Sequence, residues 1–299
     1  MRILLLGASG FLGSNLAFAA EVAGHSIEGV ARRPIPFLKK SHLVSDLSYI
    51  DDLIRSDSFD AVINCVAIAS HEQCDKNPEQ ARQINSVYPG LWSRSAGSVG
   101  SGFVQISTDA VFDGLTDKLY QETDSPNPTS TYGKTKLAGE RSALSANEES
   151  LVIRTNFFGW SPGGSTGVLD FFYSSFRAGA EITGFSDYVV SSLYVGHLVK
   201  LLLALIQSGA KGIIHAVSST PMTKYDFGIA VAEAAGLSTN GMREGKVEDI
   251  DHLVPRGRNL GLNTDRIQTI LGSQTPSTLS GIEKALAERE QLLSYFGRR

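Results

Sequence analysis

The chain has 299 residues, 42% of them hydrophobic and 19% charged, a globular composition long enough for one large α/β unit or one unit with a smaller lobe. A formal net charge of -4 and a pI near 5.9 argue against nucleic acid or an anionic membrane surface as the main partner, because both call for a basic face. No apolar run reaches bilayer length, and Met1 leads into a strand pattern without a cleavable leader, so the expected location is the cytoplasm.

In chain order, Arg2–Leu6, Ser26–Val30, Ala61–Val66, Gly102–Ser107 and Leu151–Arg154 read as short buried strands with amphipathic segments between them. Regular βαβ alternation predicts a Rossmann-type, doubly wound parallel sheet. After Arg154 the pattern loosens into glycine- and serine-rich sequence from Gly159 to Gly167, where the chain is expected to pass into a second lobe. An apolar helix over Val195–Gln207 and a sixth strand, GIIHAV at 212–217, return it to the sheet. The expected division is therefore a dinucleotide-binding domain over 1–155, rejoined by about 194–218, and a smaller mixed lobe from 156–193 and 219–299. The last stretch, from about Met242, combines a loop with a charged terminal helix.

The first strand runs into GASGFLG, with Gly7, Gly10 and Gly13 opening a helix. In this context Gly7 permits the tight turn, Gly10 lets the backbone approach a pyrophosphate, and Gly13 lets the helix pack closely. Ser9, Phe11 and Leu12 complete the turn, whose free N–H groups and positive helix end suit phosphates. The second strand ends in Ala31-Arg32-Arg33 with no carboxylate at its tip, and arginine there suits a ribose 2′-phosphate. NADP(H) is favoured. NAD(H) stays open, because Glu28 lies close enough in sequence to leave the register ambiguous.

Cys65 and Cys74 lie nine positions apart with no CxxC pair or companion histidine set, so zinc and a disulfide framework are unsupported and buried thiols are expected. Downstream, VQISTDAVFDG is a strand ending in two hydroxyls and a carboxylate, followed by TSTYGKTKLAGE on a helix. Tyr132 and Lys136 stand four apart and share a helix face. An ammonium beside a phenol is expected to depress its pKa from the usual value near 10. Carbonyl reduction needs a hydride donor, a proton donor and a hydroxyl to hold the carbonyl oxygen, roles open to a nicotinamide, Tyr132 and Thr108.

Taken together, GASGFLG, STDAVFDG, YQETDSPNPTSTYGKTKLAGE and IRTNFFGW resemble the extended short-chain dehydrogenase/reductase family, and within it the dTDP-4-dehydrorhamnose reductase branch. The resemblance is densest over residues 1–160. It implies a catalytic triad of Thr108, Tyr132 and Lys136, with Lys136 also at the nicotinamide ribose. It further implies cofactor contacts at Asp46 and Leu47 and along Cys65, Val66 and Ala67, with Asn85 on the next helix. Asp109, Asn156 and Arg256 would meet a nucleotide-diphosphate sugar, the implied substrate, and a homodimer is a common family assembly.

Departures cluster toward the sugar lobe. Ala110 stands where the family carries Tyr, Gly257 where it carries Pro, and His197 where an acid is usual; of the DQxGxPT stretch only Asp187 is kept in DYVVSSL. His197 reads as a boundary histidine on an apolar helix, not a catalytic base. A 4,6-dehydratase is disfavoured because Asp109 is followed by Ala110 and not by Glu. A sugar-nucleotide 4-epimerase would keep the same triad. A non-catalytic dinucleotide-binding subunit, like the regulatory β subunit of methionine adenosyltransferase, is the reading from a different class.

Overall fold

The computed structural model describes residues 1–164, 167–249 and 257–297. Among them, seven strands form one sheet: β1 (Arg2–Leu6), β2 (Ser26–Ala31), β3 (Ser41–Leu43), β4 (Ala61–Asn64), β5 (Gly102–Thr108), β6 (Leu151–Thr155) and β7 (Gly212–His215). Their order is β7-β6-β5-β4-β1-β2-β3, and every neighbouring pair is parallel. The order reverses direction at β1 and β4. That switch point, at the carboxyl ends of the strands, is where open α/β sheets form ligand crevices.

Side chains alternate across the sheet, so β1, β2, β4 and β5 each serve two cores. On one face Ile3, Leu5, Ile63, Ile106 and Ile153 pack with Leu12 and Leu16 of α1 (Phe11–Val22) and with Leu198 and Leu202 of the later helix Val195–Gln207. On the other face Leu4, Leu6, Val62 and Phe103 pack with Trp92 and Ala96 of α2 (Tyr88–Ser98) and Ala143 of α3 (Thr131–Ala146). Near-continuous apolar strands are thus explained by two covered faces.

Five strand ends differ from the sequence reading. β2, β5 and β6 each run one residue further, to Ala31, Thr108 and Thr155, while β4 stops at Asn64 and β7 at His215. Past Asn64, the Cys65 N–H still donates to the Leu6 carbonyl at 3.0 Å, and Cys65 and Val66 lie against the glycine turn, where a Cβ on Gly7 would meet the backbone of both at 3.1 Å. The edge strand β3 went unpredicted. It is three residues long, none of them buried, and too short to display a period.

The remaining strands among the described residues form two pairs and one three-stranded sheet. Phe157–Phe158 pairs with Leu193–Tyr194 and Ile182–Phe185 with Met242–Gly245, both parallel, while Val189–Val190 lies between Met222–Thr223 and Asn259–Leu260. The terminal helix Arg289–Tyr295 packs back on α1: Leu292 and Leu293 join its core, and the Tyr295 hydroxyl donates to Glu21 at 2.9 Å.

Candidate active site

Close packing explains the glycine turn. Gly7 has φ +80°, and a Cβ there would sit 3.1 Å from backbone atoms of Cys65 and Val66. At Gly13 it would lie 2.3 Å from the Gly7 carbonyl, so α1 could not close on the turn. Gly10 caps α1 without a side-chain hydrogen bond, and a Cβ there would meet only the Gly7 carbonyl, at 3.2 Å. The first-turn N–H groups therefore have no capping side chain, which suits a pyrophosphate.

A cleft of about 300 Å³ extends from this turn, lined by Gly7, Ser9, Gly10, Arg32, Leu47, Cys65, Val66 and Ala67, among others. It joins a second cavity of about 390 Å³ through shared Gly10, Cys65 and Ala67. Phe11 and Leu12 line the second cavity; Gly13, Arg33 and Asp46 line neither. Asp46 is exposed and accepts a 2.9 Å hydrogen bond from the Ser48 N–H, which holds its carboxyl below the usual range. The Glu28 ambiguity is resolved by geometry. Glu28 is buried in β2, three residues before its end, and held by Arg2 at 2.7 Å and His42 at 3.1 Å.

The second cavity gathers Thr108, Asp109, Tyr132, Lys136 and Asn156, with His71 and Tyr188. Thr108 ends β5, while α3, capped by Ser130, presents Tyr132 and Lys136 from its first two turns. Gly133 seats that helix: a Cβ there would strike the Ala110 carbonyl at 2.1 Å. Asn85 pins the loop after β4 to the same helix, exchanging hydrogen bonds with the Ile68 backbone at 2.9 and 3.0 Å and donating to Thr135 at 3.1 Å. Its role is structural.

Thr108 Oγ1 donates to Asp109 Oδ1 at 3.0 Å, and Asn156 Nδ2 donates to Asp109 Oδ2 at 2.8 Å. Burial raises the Asp109 carboxyl to about 6, against the pull of those two donors and of Lys224. The expected depression of Tyr132 by Lys136 is not what the structure holds. Burial pushes the phenol up, the Thr108 hydroxyl bonded to it opposes that rise, and the charges acting on it are those of Asp109 and Cys74. The Lys136 ammonium is drawn inward instead, donating to the Ile106 carbonyl at 2.6 Å. Burial lowers Lys136 to about 8, with Glu140 working the other way. A raised phenol stays protonated at neutral pH, the form a proton donor requires.

Two cavity-wall residues and one neighbour escaped the sequence reading. The His71 ring lies 4.9 Å from that of Tyr132, and Tyr188 lines the cavity. Lys224, near Asp109, belongs to α5 (Lys224–Ala235), numbered after α4 (Val195–Gln207). None carries a spacing motif that separates it from an ordinary surface position. Cys65, also on the cavity wall, has its thiol pushed up to about 12 by burial.

Among the described residues, Asp187, His197 and Gly257 do not join the cavity. Arg256 lies outside the described residues. Asp187 accepts from the Val247 N–H at 2.8 Å. His197 stands on α4, its ring 5.5 Å from Tyr194, with burial lowering its pKa. Gly257 has a packing reason: a Cβ there would meet the Asp113 carbonyl at 2.7 Å, where the 113–114 turn crosses it.

Comparison with known proteins matches this arrangement to one family. The RmlD substrate binding domain model matches residues 1–291. The chain is 29% identical over 297 residues to the "Probable low-salt glycan biosynthesis reductase Agl14" of Haloferax volcanii, covering 96% of this chain and 99% of that one. It is 32% identical over 247 residues to the dTDP-4-dehydrorhamnose reductase of Mycolicibacterium smegmatis, covering 81% and 72%. Among solved structures, the dTDP-4-dehydrorhamnose reductase of Bacillus anthracis in complex with NADP superposes with a TM-score of 0.87 at 22% identity, covering 96% and 99%. With the model matched over nearly the whole chain, this protein belongs to the RmlD substrate binding domain family, an RmlD-like branch of the extended short-chain dehydrogenase/reductases.

Proposed function

We propose that the protein reduces the C4 keto group of a nucleotide-linked 4-keto-6-deoxyhexose with NADPH. The observation that carries this reading is the convergence of Thr108, Tyr132 and Lys136 on a cavity continuous with the glycine-turn cleft. Two of its relatives are named as reductases, one for a glycan and one for a dTDP-linked sugar. The donor set fits the cofactor: uncapped N–H groups of α1 for the pyrophosphate, and Arg32 beside the cleft for a 2′-phosphate. When bound, the dinucleotide supplies the hydride that goes to the keto carbon.

The chain's own groups manage the proton. Thr108 and Tyr132 hydroxyls hold the carbonyl oxygen, and the Tyr132 O–H bond breaks as its proton passes to that oxygen, leaving a phenolate. Lys136, on the same cavity wall, would hold the nicotinamide ribose. Asp109, tied to Thr108 and Asn156, accepts from a sugar hydroxyl. The test is NADPH consumption with dTDP-4-keto-6-deoxyglucose and its 4-keto relatives, with product identified by mass and stereochemistry. Tight NADPH binding without turnover on any keto sugar would overturn the reductase reading in favour of a non-catalytic dinucleotide-binding subunit.

A further inference from the structure

We propose that Lys224 is a specificity-determining residue that grips the diphosphate of a nucleoside-diphosphate sugar where the catalytic cavity meets a second, aromatic cleft. This rests on the sugar-nucleotide reading above and assigns a role to a residue that no motif marks.

The second cleft, of about 210 Å³, is walled by Phe171, Phe172, Phe185, Tyr188 and Lys224. Tyr188 is also a wall of the catalytic cavity, so the two spaces are neighbours across one ring. Phe171 is 46% exposed at the cleft, a large apolar ring left where a planar base can stack. The Lys224 ammonium lies 5.9 Å from the Tyr188 ring and 5.8 Å from the Phe227 ring, and the backbone N–H of Lys224 donates to the Tyr188 carbonyl at 3.1 Å. Rings on two sides restrict the long side chain and fix the charge near the junction.

Asp109, on the wall of the catalytic cavity, is the opposing charge that acts on Lys224. Its two carboxylate oxygens already accept from Thr108 and Asn156, and among the described residues no carboxylate comes within ion-pair distance of Lys224 Nζ. The ammonium therefore keeps donors for a ligand. Burial lowers Lys224 to about 8, which leaves the ammonium charged at neutral pH, and a ligand anion would favour that form further. Aromatic cleft, cation and reducing cavity follow one another in the covalent order of base, diphosphate and sugar.

The experiment measures binding of dTDP, UDP and the corresponding nucleosides to the NADPH-loaded protein by calorimetry, for the wild type, Lys224→Met and Lys224→Arg. Losing a charge-assisted contact should weaken diphosphate binding by about 10- to 100-fold in Lys224→Met, leave nucleoside binding within about 2-fold, and be largely rescued in Lys224→Arg. In turnover, KM should rise with kcat little changed. Unaltered NADPH affinity and thermal midpoint show that the variants fold. Equal diphosphate affinity in wild type and Lys224→Met overturns the proposal even if the protein reduces keto sugars. Lys224-dependent diphosphate binding without turnover supports it while the reductase reading fails.

Discussion

Arg154 clamps Glu140 with Nη2 to Oε2 at 2.8 Å and Nε to Oε1 at 3.0 Å, both side chains almost wholly buried between β6 and α3. Ser107 adds a hydrogen bond to the same carboxylate at 2.5 Å, and the guanidinium lies 5.0 Å from the Phe112 ring. Tyr132, Lys136 and Glu140 follow at intervals of four along α3, so they share a face. Anchoring Glu140 therefore sets the rotation of the helix that carries the two candidate catalytic side chains.

Removing one partner leaves a buried charge uncompensated. Arg154→Met should cost about 3–5 kcal/mol, measured by urea unfolding, and adding Glu140→Gln should recover part of that loss. A double variant no more stable than Arg154→Met alone would show that the pair is not the origin of the loss.

Tyr132→Phe removes the proton donor and keeps the ring against His71. Turnover of a keto sugar should fall by about 10²–10⁴-fold, while the NADPH dissociation constant stays within about 2-fold, since the hydroxyl acts in the transition state. Thr108→Ala should also lower kcat. Retained turnover in Tyr132→Phe would move the proton donor elsewhere, with His71 the next residue to replace.

Asp109 gives a pH signature with a definite sign. Its carboxyl is raised by burial from 3.8 to about 6 in the folded chain, so the fold favours the protonated form. That contribution is complete below pH 3.8 and disappears as pH rises through about 6. The stability of the wild type relative to Asp109→Asn should therefore decline between about pH 4 and 6, by up to roughly 3 kcal/mol, and stay level above that. A difference independent of pH in paired denaturant titrations would contradict the assignment.

Arg32 lines the cleft and Arg33 does not. Arg32→Glu should weaken NADPH by about 10- to 100-fold, the worth of a charge-assisted phosphate contact, with much less effect on NADH; Arg33→Glu should do less. Equal losses for both cofactors in Arg32→Glu would place the 2′-phosphate elsewhere. Fluorescence titration of each reduced cofactor reads this directly.

Local order carries a long way in this chain. GASGFLG follows a strand and opens a helix, and Tyr132 and Lys136 share a helix face because they lie within one continuous segment whose period is set by backbone geometry. The strands beside them are buried on both faces, so their apolar runs announce a parallel sheet without any contact being known. Legibility ends where a role depends on another segment. Glu28 looks like a cofactor-reading acid by position, and only the approach of Arg2 and His42 shows it engaged elsewhere. Lys136 looks like the group that tunes Tyr132, yet the Ile106 carbonyl holds its ammonium.

By itself the sequence pointed to six of the seven sheet strands, the glycine turn and the three side chains proposed as catalytic, because each is written in short-range spacing. Tertiary structure decided which groups face them: Asp109 with Asn156, His71 beside Tyr132, and Lys224 from 92 residues beyond Tyr132 in the chain. Charge, burial and hydrogen bonding act through space, and folding brings together groups that lie far apart in the chain.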